Sequence, residues 1–161
     1  MRKMLSRHEL KKEIEKLKKA GKKIIFTNGC FDILHTGHTR YLREARKLGD
    51  ILIVGLNSDA SVRAIKGPQR PIVPQAERAD IMASLESVDF VILFDEATPL
   101  ELIEYLKPHT IVKGGDWAEK DIVGGQAVRK WGGTVAVIPE IKGASTTNII
   151  EKILQLYSLQ K

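Results

Sequence analysis

The stretch KKIIFTNGCFDILHTGH, residues 22–38, decides the fold. Its first part, KKIIFTNG (22–29), is a short apolar run that predicts a buried strand. Its second part brings Gly29, Asp32, His35, Gly37 and His38 into a turn, and a helical pattern follows from about Gly37 to Leu48. A strand that turns through glycines into a helix is half of a βαβ unit.

The same alternation repeats outward from this stretch. ILIVGLN (51–57) predicts a second strand and leads into the polar stretch NSDASVRAIKGPQRPIVP. QAERADIMASLE (75–86) predicts a helix, with Ala76, Ala79, Met82, Ala83 and Leu85 as candidate core positions. DFVILF (89–94) is a third strand, after which Thr98 as N-cap and Pro99 in the first turn open a helix that Lys107-Pro108 closes. TIVKGG (110–115) and TVAVIP (134–139) supply strands four and five, with a helical stretch near 121–131 between them and a last helix from Ser145 to Leu159. Strands alternating with crossover helices predict a doubly wound, Rossmann-like α/β domain with five mostly parallel strands.

The 161 residues, 43% of them apolar, suit a single domain with its own core. Residues 1–21 are read as an amphipathic N-terminal helix and 22–161 as the catalytic core. In the helix Ser6 and Glu9 fit a capping box, and Leu10, Ile14 and Leu17 share one face. Much of the formal charge of +6 falls in residues 11–23, KKEIEKLKKAGKK, which reads as a solvated lysine face. Few aromatics interleave with these lysines, so no nucleic-acid platform is expected. No apolar run approaches the roughly 20 residues that span a bilayer, and the N-terminus lacks the apolar region of a signal peptide. With Cys30 as the single cysteine there is no disulfide framework and no cysteine zinc site. The expectation is a cytoplasmic protein with no membrane partner.

Ligands of doubly wound sheets bind beyond the carboxyl ends of the strands. Four polar stretches fall on that edge: TNGCFDILHTGH, NSD, KGGDW and, opening the last helix, GASTTN. In the first, Gly29 and Gly37 permit close approach of backbone to a ligand, and the helix starting near Gly37 would point free N–H groups at an anion. His35 and His38 flank that start and could both donate to one phosphate. Metal ligation would need a third ligand, which Asp32 could supply, and a structural role for both histidines is a further alternative. Asn57 and Asp59 of NSD are substrate-binding candidates at the end of the second strand. In KGGDW, Lys113 could reach a phosphate, Gly115 gives backbone freedom, Asp116 could accept from hydroxyl or amino groups, and Trp117 could pack near a nucleobase. Ser145, Thr146 and Thr147 stand where a helix N-terminus offers its amides. Lys66, Arg70 and Arg78, with Arg63, could clamp polyphosphate as pyrophosphate departs. Walker A, G-x-G-x-x-G and G-x-S-x-G patterns are all absent, which disfavours P-loop, ordinary dinucleotide and serine-hydrolase chemistry.

FTNGCFDILHTGH together with the STT-initiated helix resembles the nucleotidyltransferase superfamily of cytidylyltransferases and related adenylyltransferases, marked by H-x-G-H. The resemblance runs from Lys23 to Ile153. Within it, VGLNSDASVRAIKG, RPIVP, ERADIMASLESVDFV, TPLELIEYLKP, VKGGDW, IVGG and GASTTNIIEKI resemble the adenylyltransferases acting on D-glycero-β-D-manno-heptose 1-phosphate. That resemblance implies transfer of AMP from ATP to the heptose 1-phosphate, giving ADP-heptose and pyrophosphate for lipopolysaccharide core precursors. It implies Mg²⁺ carried by the ATP phosphates and no metal held by protein ligands.

The activity is often half of a bifunctional protein whose other half is a sugar kinase. The expectation here is the free-standing form, with a separate sugar kinase in the same pathway. Family members often associate, which allows a homodimer. The resemblance places His35, His38 and Lys66 in catalysis. It places Thr27, Gly29, Phe31, Gly37, Gly115, Asp116, Trp117, Ser145, Thr146 and Thr147 at the nucleotide. Asn57, Asp59, Arg70, Arg78, Lys113 and Lys152 fall to the substrate, Lys152 standing where related cytidylyltransferases carry an arginine. The alternatives are a glycerol-3-phosphate cytidylyltransferase or another alcohol-phosphate relative, and a non-catalytic nucleotide sensor on the same fold.

Overall fold

The computed structural model describes residues 3–115, 118–139 and 143–158. In chain order the elements are α1 (Arg7–Lys19), β1 (Ile24–Gly29), α2 (Thr36–Arg46), β2 (Ile51–Asn57), α3 (Asp59–Lys66), α4 (Gln75–Ser84), β3 (Phe90–Phe94), α5 (Leu100–Leu106), β4 (Thr110–Gly114), a 3₁₀ turn (Glu119–Asp121), α6 (Gly125–Lys130), β5 (Thr134–Ile138) and α7 (Thr146–Tyr157). The five strands form one sheet in the order β3-β2-β1-β4-β5, and every pairing is parallel. The doubly wound class read from the sequence is the class observed.

Alternation along the strands divides the core into two layers. Ile24 and Phe26 of β1 face a cluster with Leu10 and Ile14 of α1 and with Leu102, Ile103 and Leu106 of α5. Ile25, one residue between them, faces the opposite cluster with Leu42 and Ala45 of α2 and with Ala79 and Met82 of α4. Both faces of the sheet are therefore covered, which is why its strands read as continuous apolar runs. At α1 the Ser6 side chain accepts from the Glu9 amide while the Glu9 carboxylate accepts from the Ser6 amide, so the capping box forms.

Several sequence expectations need correction. The polar stretch after β2 contains a helix, α3, capped by the Ser58 hydroxyl and anchored by buried Val62. Pro99 itself occupies the cap of α5, so that helix starts at Leu100 rather than behind a Thr98 cap. The helical stretch expected near 121–131 is split, because Gly124 adopts φ 85° and restarts the chain as α6. In α4 the assumed core position Ala76 is exposed and Arg78 is buried in its place.

The sheet order reverses between β1 and β4, which run out from the centre in opposite winding directions. Pairing of β1 with β4 ends at Thr27↔Val112. On their outer sides the two strands stay paired further, β1 with β2 to Gly29↔Leu56 and β4 with β5 to Gly114↔Ile138. The sheet thus parts along one seam at its carboxyl edge, and a crevice opens there.

Candidate nucleotide-transfer site

That crevice widens into a cleft of about 840 Å³, within the range of small-molecule sites. Its floor is Asn28 and Gly29 from β1 and Lys113 and Gly114 from β4, and its walls are the first turns of α2 and α7. Among the described residues five cations line it (Arg40, Arg43, Lys66, Arg70 and Lys113) against two carboxylates, Asp32 and Glu44. The excess suits a polyanion.

The start of α2 holds the two histidines. His35 is the N-cap and contributes no side-chain cap, so its ring is left for the cleft. The rings of His35 and His38 stack with centroids 3.8 Å apart and planes 24° apart, and Phe31 meets His38 edge-on at 5.2 Å. Both Nδ1 atoms are buried and have no hydrogen-bond partner in the protein. Burial pushes the His35 imidazolium below its usual range; burial and then the neighbouring His35 push His38 down to about 4. The free site therefore holds two neutral imidazoles near pH 7. Stacked as they are, both could carry charge only beside a strong anion.

Gly37 explains the spacing of the motif. A Cβ there would lie 2.9 Å from the His35 ring and 3.1 Å from the Ala144 side chain. Glycine thus lets the loop before α7 press against the start of α2. The Thr146 hydroxyl, donating to the Ile33 carbonyl at 3.3 Å, ties the same two segments together. The two helix N-termini consequently face one space, where amides, hydroxyls and dipoles all favour an anion. Ser145 caps α7 by accepting from the Asn148 amide, and Thr147 also lines the cleft.

Loop 67–73 is strapped to this site by Asp32. Its buried carboxylate accepts from Arg70 Nε at 2.5 Å, from the Ile72 amide at 2.9 Å and from the Val73 amide at 2.8 Å. Burial opposes ionisation, but the two amides and the guanidinium together hold the carboxyl below its usual range. Asp32 is thereby committed to the loop, and Lys66 and Arg70 are brought to the cleft edge.

Of the residues read from the sequence, His35, His38, Gly29, Phe31, Gly37, Lys66, Arg70, Lys113, Ser145, Thr146 and Thr147 line this one cleft. Others do not. Thr27 is fully buried, with its hydroxyl 2.6 Å from that of Tyr41, which in turn donates to the Val112 carbonyl. Arg78 is 1% exposed and donates to the carbonyls of Val73, Cys30 and Asn57 and to Asp59 Oδ1, so its guanidinium is engaged inside the protein and does not line the cleft. Asn57 donates to Ser61 Oγ and Asp59 pairs with Arg78, because NSD is the start of α3 and its polar groups serve that helix. Gly115, at φ 107°, donates to the Ile138 carbonyl beside the cleft, and Gly114 takes the lining position. Lys152 is exposed on α7 outside the lining. Asp116 and Trp117 lie outside the described residues.

Sequence reasoning missed Arg40, Tyr41, Arg43 and Glu44, which line the cleft from α2. Tyr41 stands three residues after His38, so helical periodicity carried forward from that histidine would have found it. Among the described residues no helix is long and apolar enough to cross a membrane.

Residues 26–152 match the family model described as cytidylyltransferase-like. The chain is 54% identical over 145 residues to the Bifunctional protein HldE of Pelobacter propionicus, covering 90% of this chain and 30% of that protein. It is 53% identical over 156 residues to the Bifunctional protein HldE of Trichlorobacter lovleyi, covering 97% and 32%. The chain therefore spans about a third of the length of these curated relatives. Among solved structures, the lipopolysaccharide core biosynthesis protein from Thermoplasma volcanium superposes with a TM-score of 0.63 at 31% identity, covering 77% of this chain and 100% of that one. The pantoate-beta-alanine ligase from Francisella tularensis, at 15% identity and a TM-score of 0.61 over 98% of this chain and 79% of that one, shares the fold. The H-x-G-H turn at the sheet's switch point thus lies inside a family match that covers most of the sequence, and the chain belongs to the cytidylyltransferase-like family as a nucleotidyltransferase.

Proposed function

We propose that this nucleotidyltransferase moves AMP from ATP to D-glycero-β-D-manno-heptose 1-phosphate, releasing pyrophosphate and ADP-heptose. An oxygen of the acceptor phosphate attacks the α-phosphorus, a new P–O bond forms, and the bond to the β-phosphate bridging oxygen breaks. Pyrophosphate leaves with that electron pair. The nucleophile is already ionised near neutral pH, so no proton has to be removed from it.

The observation that carries this reading is the neutral His35–His38 stack, set between two helix N-termini in a cleft whose described lining carries more cations than carboxylates. Such a site works by orientation and by donors aimed at oxygens that gain charge. His35 and His38 donate to oxygens of the transferring phosphoryl group, the starts of α2 and α7 cradle the remaining phosphates, and Lys66 and Arg70 meet the departing pyrophosphate. Asp32 keeps Arg70 and its loop in place.

Mg²⁺ on the triphosphate would neutralise charge on the leaving group. The described donor set fits a metal held through phosphate oxygens and water, since among the described lining residues Asp32 is taken up by Arg70 and two amides and the exposed Glu44 pairs with Lys47. In the same reading residues 22–161 are the catalytic core, working in the cytoplasm on an acceptor that a sugar kinase supplies. A homodimer would have a surface available in Ile153, Leu154, Leu156 and Tyr157, all exposed on α7. The choice of heptose and ATP is supported by the similarity to the HldE proteins.

Pyrophosphate release with ATP and CTP, each offered heptose 1-phosphate anomers, other sugar 1-phosphates and glycerol 3-phosphate, tests the reading. Fastest turnover is expected with ATP and the β-heptose phosphate. Preferred turnover with CTP and glycerol 3-phosphate would replace it with the cytidylyltransferase alternative.

A further inference from the structure

Lys113 stands at the point where the sheet parts. It is the first residue of β4 beyond the last β1–β4 pair, Thr27↔Val112, and its side chain turns into the seam toward β1. There Nζ donates to the Asn28 carbonyl at 3.4 Å, at the long limit of a hydrogen bond. An ammonium has three donors, and no carboxylate among the described residues pairs with this one. The other cations of the cleft are placed differently. Lys66, Arg40 and Arg43 are exposed at its edges, and Arg70 is engaged by Asp32. Among the described residues Lys113 is thus the cation of the floor, half-buried and without an anionic partner.

If its only task were to satisfy the Asn28 carbonyl, a neutral donor would do so without the cost of burying a charge. Burial pushes its pKa down to about 8, only partly opposed by the nearby Cys30. An anion on the floor would offset that cost. The polyphosphate already has the walls, where the α2 and α7 N-termini, the imidazoles, Lys66 and Arg70 gather. The second anion of the reaction is the acceptor phosphate, a dianion that must approach an α-phosphoryl group of like charge. A cation at the seam between β1 and β4, on the floor of the same cleft, is what that approach needs.

We propose that Lys113 is the acceptor-phosphate ligand: its ammonium holds the attacking phosphate monoester on the cleft floor and screens it from the nucleotide. The proposal rests on the nucleotidyl-transfer reading above, and it assigns the class of ligand, a phosphate monoester dianion, whatever the sugar.

The test compares wild type, Lys113→Met and Lys113→Arg, each saturated with α,β-methylene ATP. Inorganic phosphate and heptose 1-phosphate are titrated separately by calorimetry. Loss of a charged hydrogen bond predicts monoester affinity down about tenfold or more in Lys113→Met, with partial recovery in Lys113→Arg and little change in affinity for the ATP analogue. Lys113→Met should melt at or above the wild-type temperature, because a poorly paired buried charge is removed. Equal monoester affinity in wild type and Lys113→Met, equal loss of both ligands, or no monoester binding to wild type would each overturn the proposal. If wild type binds the monoesters through Lys113 yet releases no pyrophosphate with heptose 1-phosphate, the heptose reading fails and the role of Lys113 stands.

Discussion

The imidazoles of His35 and His38 stack face to face, 3.8 Å between centroids, with both Nδ1 atoms buried and unpartnered. Two groups so placed act as a unit, and their removal should not be additive. His35→Ala and His38→Ala are each expected to lower kcat by about 10²–10³, as loss of one transition-state donor does. The double variant should lie close to the worse single one. Steady-state kinetics with ATP as the varied substrate checks this, and a product of the two single effects would show independent roles.

The depressed pKa of His38 also gives the unliganded protein a pH signature. The folded value of about 4 lies below the usual imidazole value of 6.5, so the unfolded chain binds the proton more readily. This contribution to stability is present above pH 6.5 and is lost as pH falls from 6.5 toward 4. Urea midpoints from pH 7.5 to 4.5 should fall more steeply for wild type than for His38→Gln. Parallel curves would mean that His38 titrates normally.

Gly37→Ala separates geometry from stability. Alanine in a helix gains about 1 kcal/mol over glycine, which offsets part of the strain its Cβ would cause. That Cβ would lie 2.9 Å from the His35 ring and 3.1 Å from Ala144. The expected outcome is a melting temperature within a few degrees of wild type and at least about a tenfold loss of kcat, because small misplacements at a reacting centre cost that much or more. Unchanged kcat would show that the α2–α7 contact does not set the position of the histidines.

Asp32 and Arg78 are assigned to structure, and they should respond differently from the cleft cations. Asp32→Ala breaks a buried ion pair and leaves two amides unsatisfied, a loss of about 3–5 kcal/mol. Arg78→Met strands three carbonyls and Asp59 and should cost a similar amount. Urea unfolding measures both. For Arg78→Met assayed at a temperature where it stays folded, the acceptor KM should remain within about threefold of wild type. A large rise in acceptor KM at unchanged stability would return Arg78 to the substrate site.

The fold and the centre of the site were legible because each rests on a local pattern. Strand periodicity gave the sheet, and the strand-to-helix turn placed His35, Gly37 and His38 on its carboxyl edge. Ser145–Thr147 were legible for the same reason, as a hydroxyl run at a helix start. What was not legible is which partner a polar group finds across the fold. Arg78, Asn57 and Asp59 looked like ligands because they are polar and lie near the right edge. Arg78 pairs with Asp59 and donates to the carbonyls of Cys30, Asn57 and Val73, a pairing that sequence spacing does not encode, while the Asn57 side chain donates to Ser61 within the start of α3. The inward turn of the Thr27 hydroxyl was hidden for the same reason, since its partner Tyr41 is fourteen residues away on α2. Asp32 showed the reverse: only the cleft geometry reveals that its carboxylate holds Arg70 instead of a ligand.

The most direct measurement is ³¹P NMR of ATP and D-glycero-β-D-manno-heptose 1-phosphate incubated with wild type and, separately, with His38→Ala. Nucleotidyl transfer predicts that the acceptor monoester signal is replaced by a diphosphate diester in step with free pyrophosphate, and that His38→Ala makes both about 10²–10³ more slowly. Pyrophosphate formed without loss of the acceptor signal, or His38→Ala turning over at the wild-type rate, would contradict it.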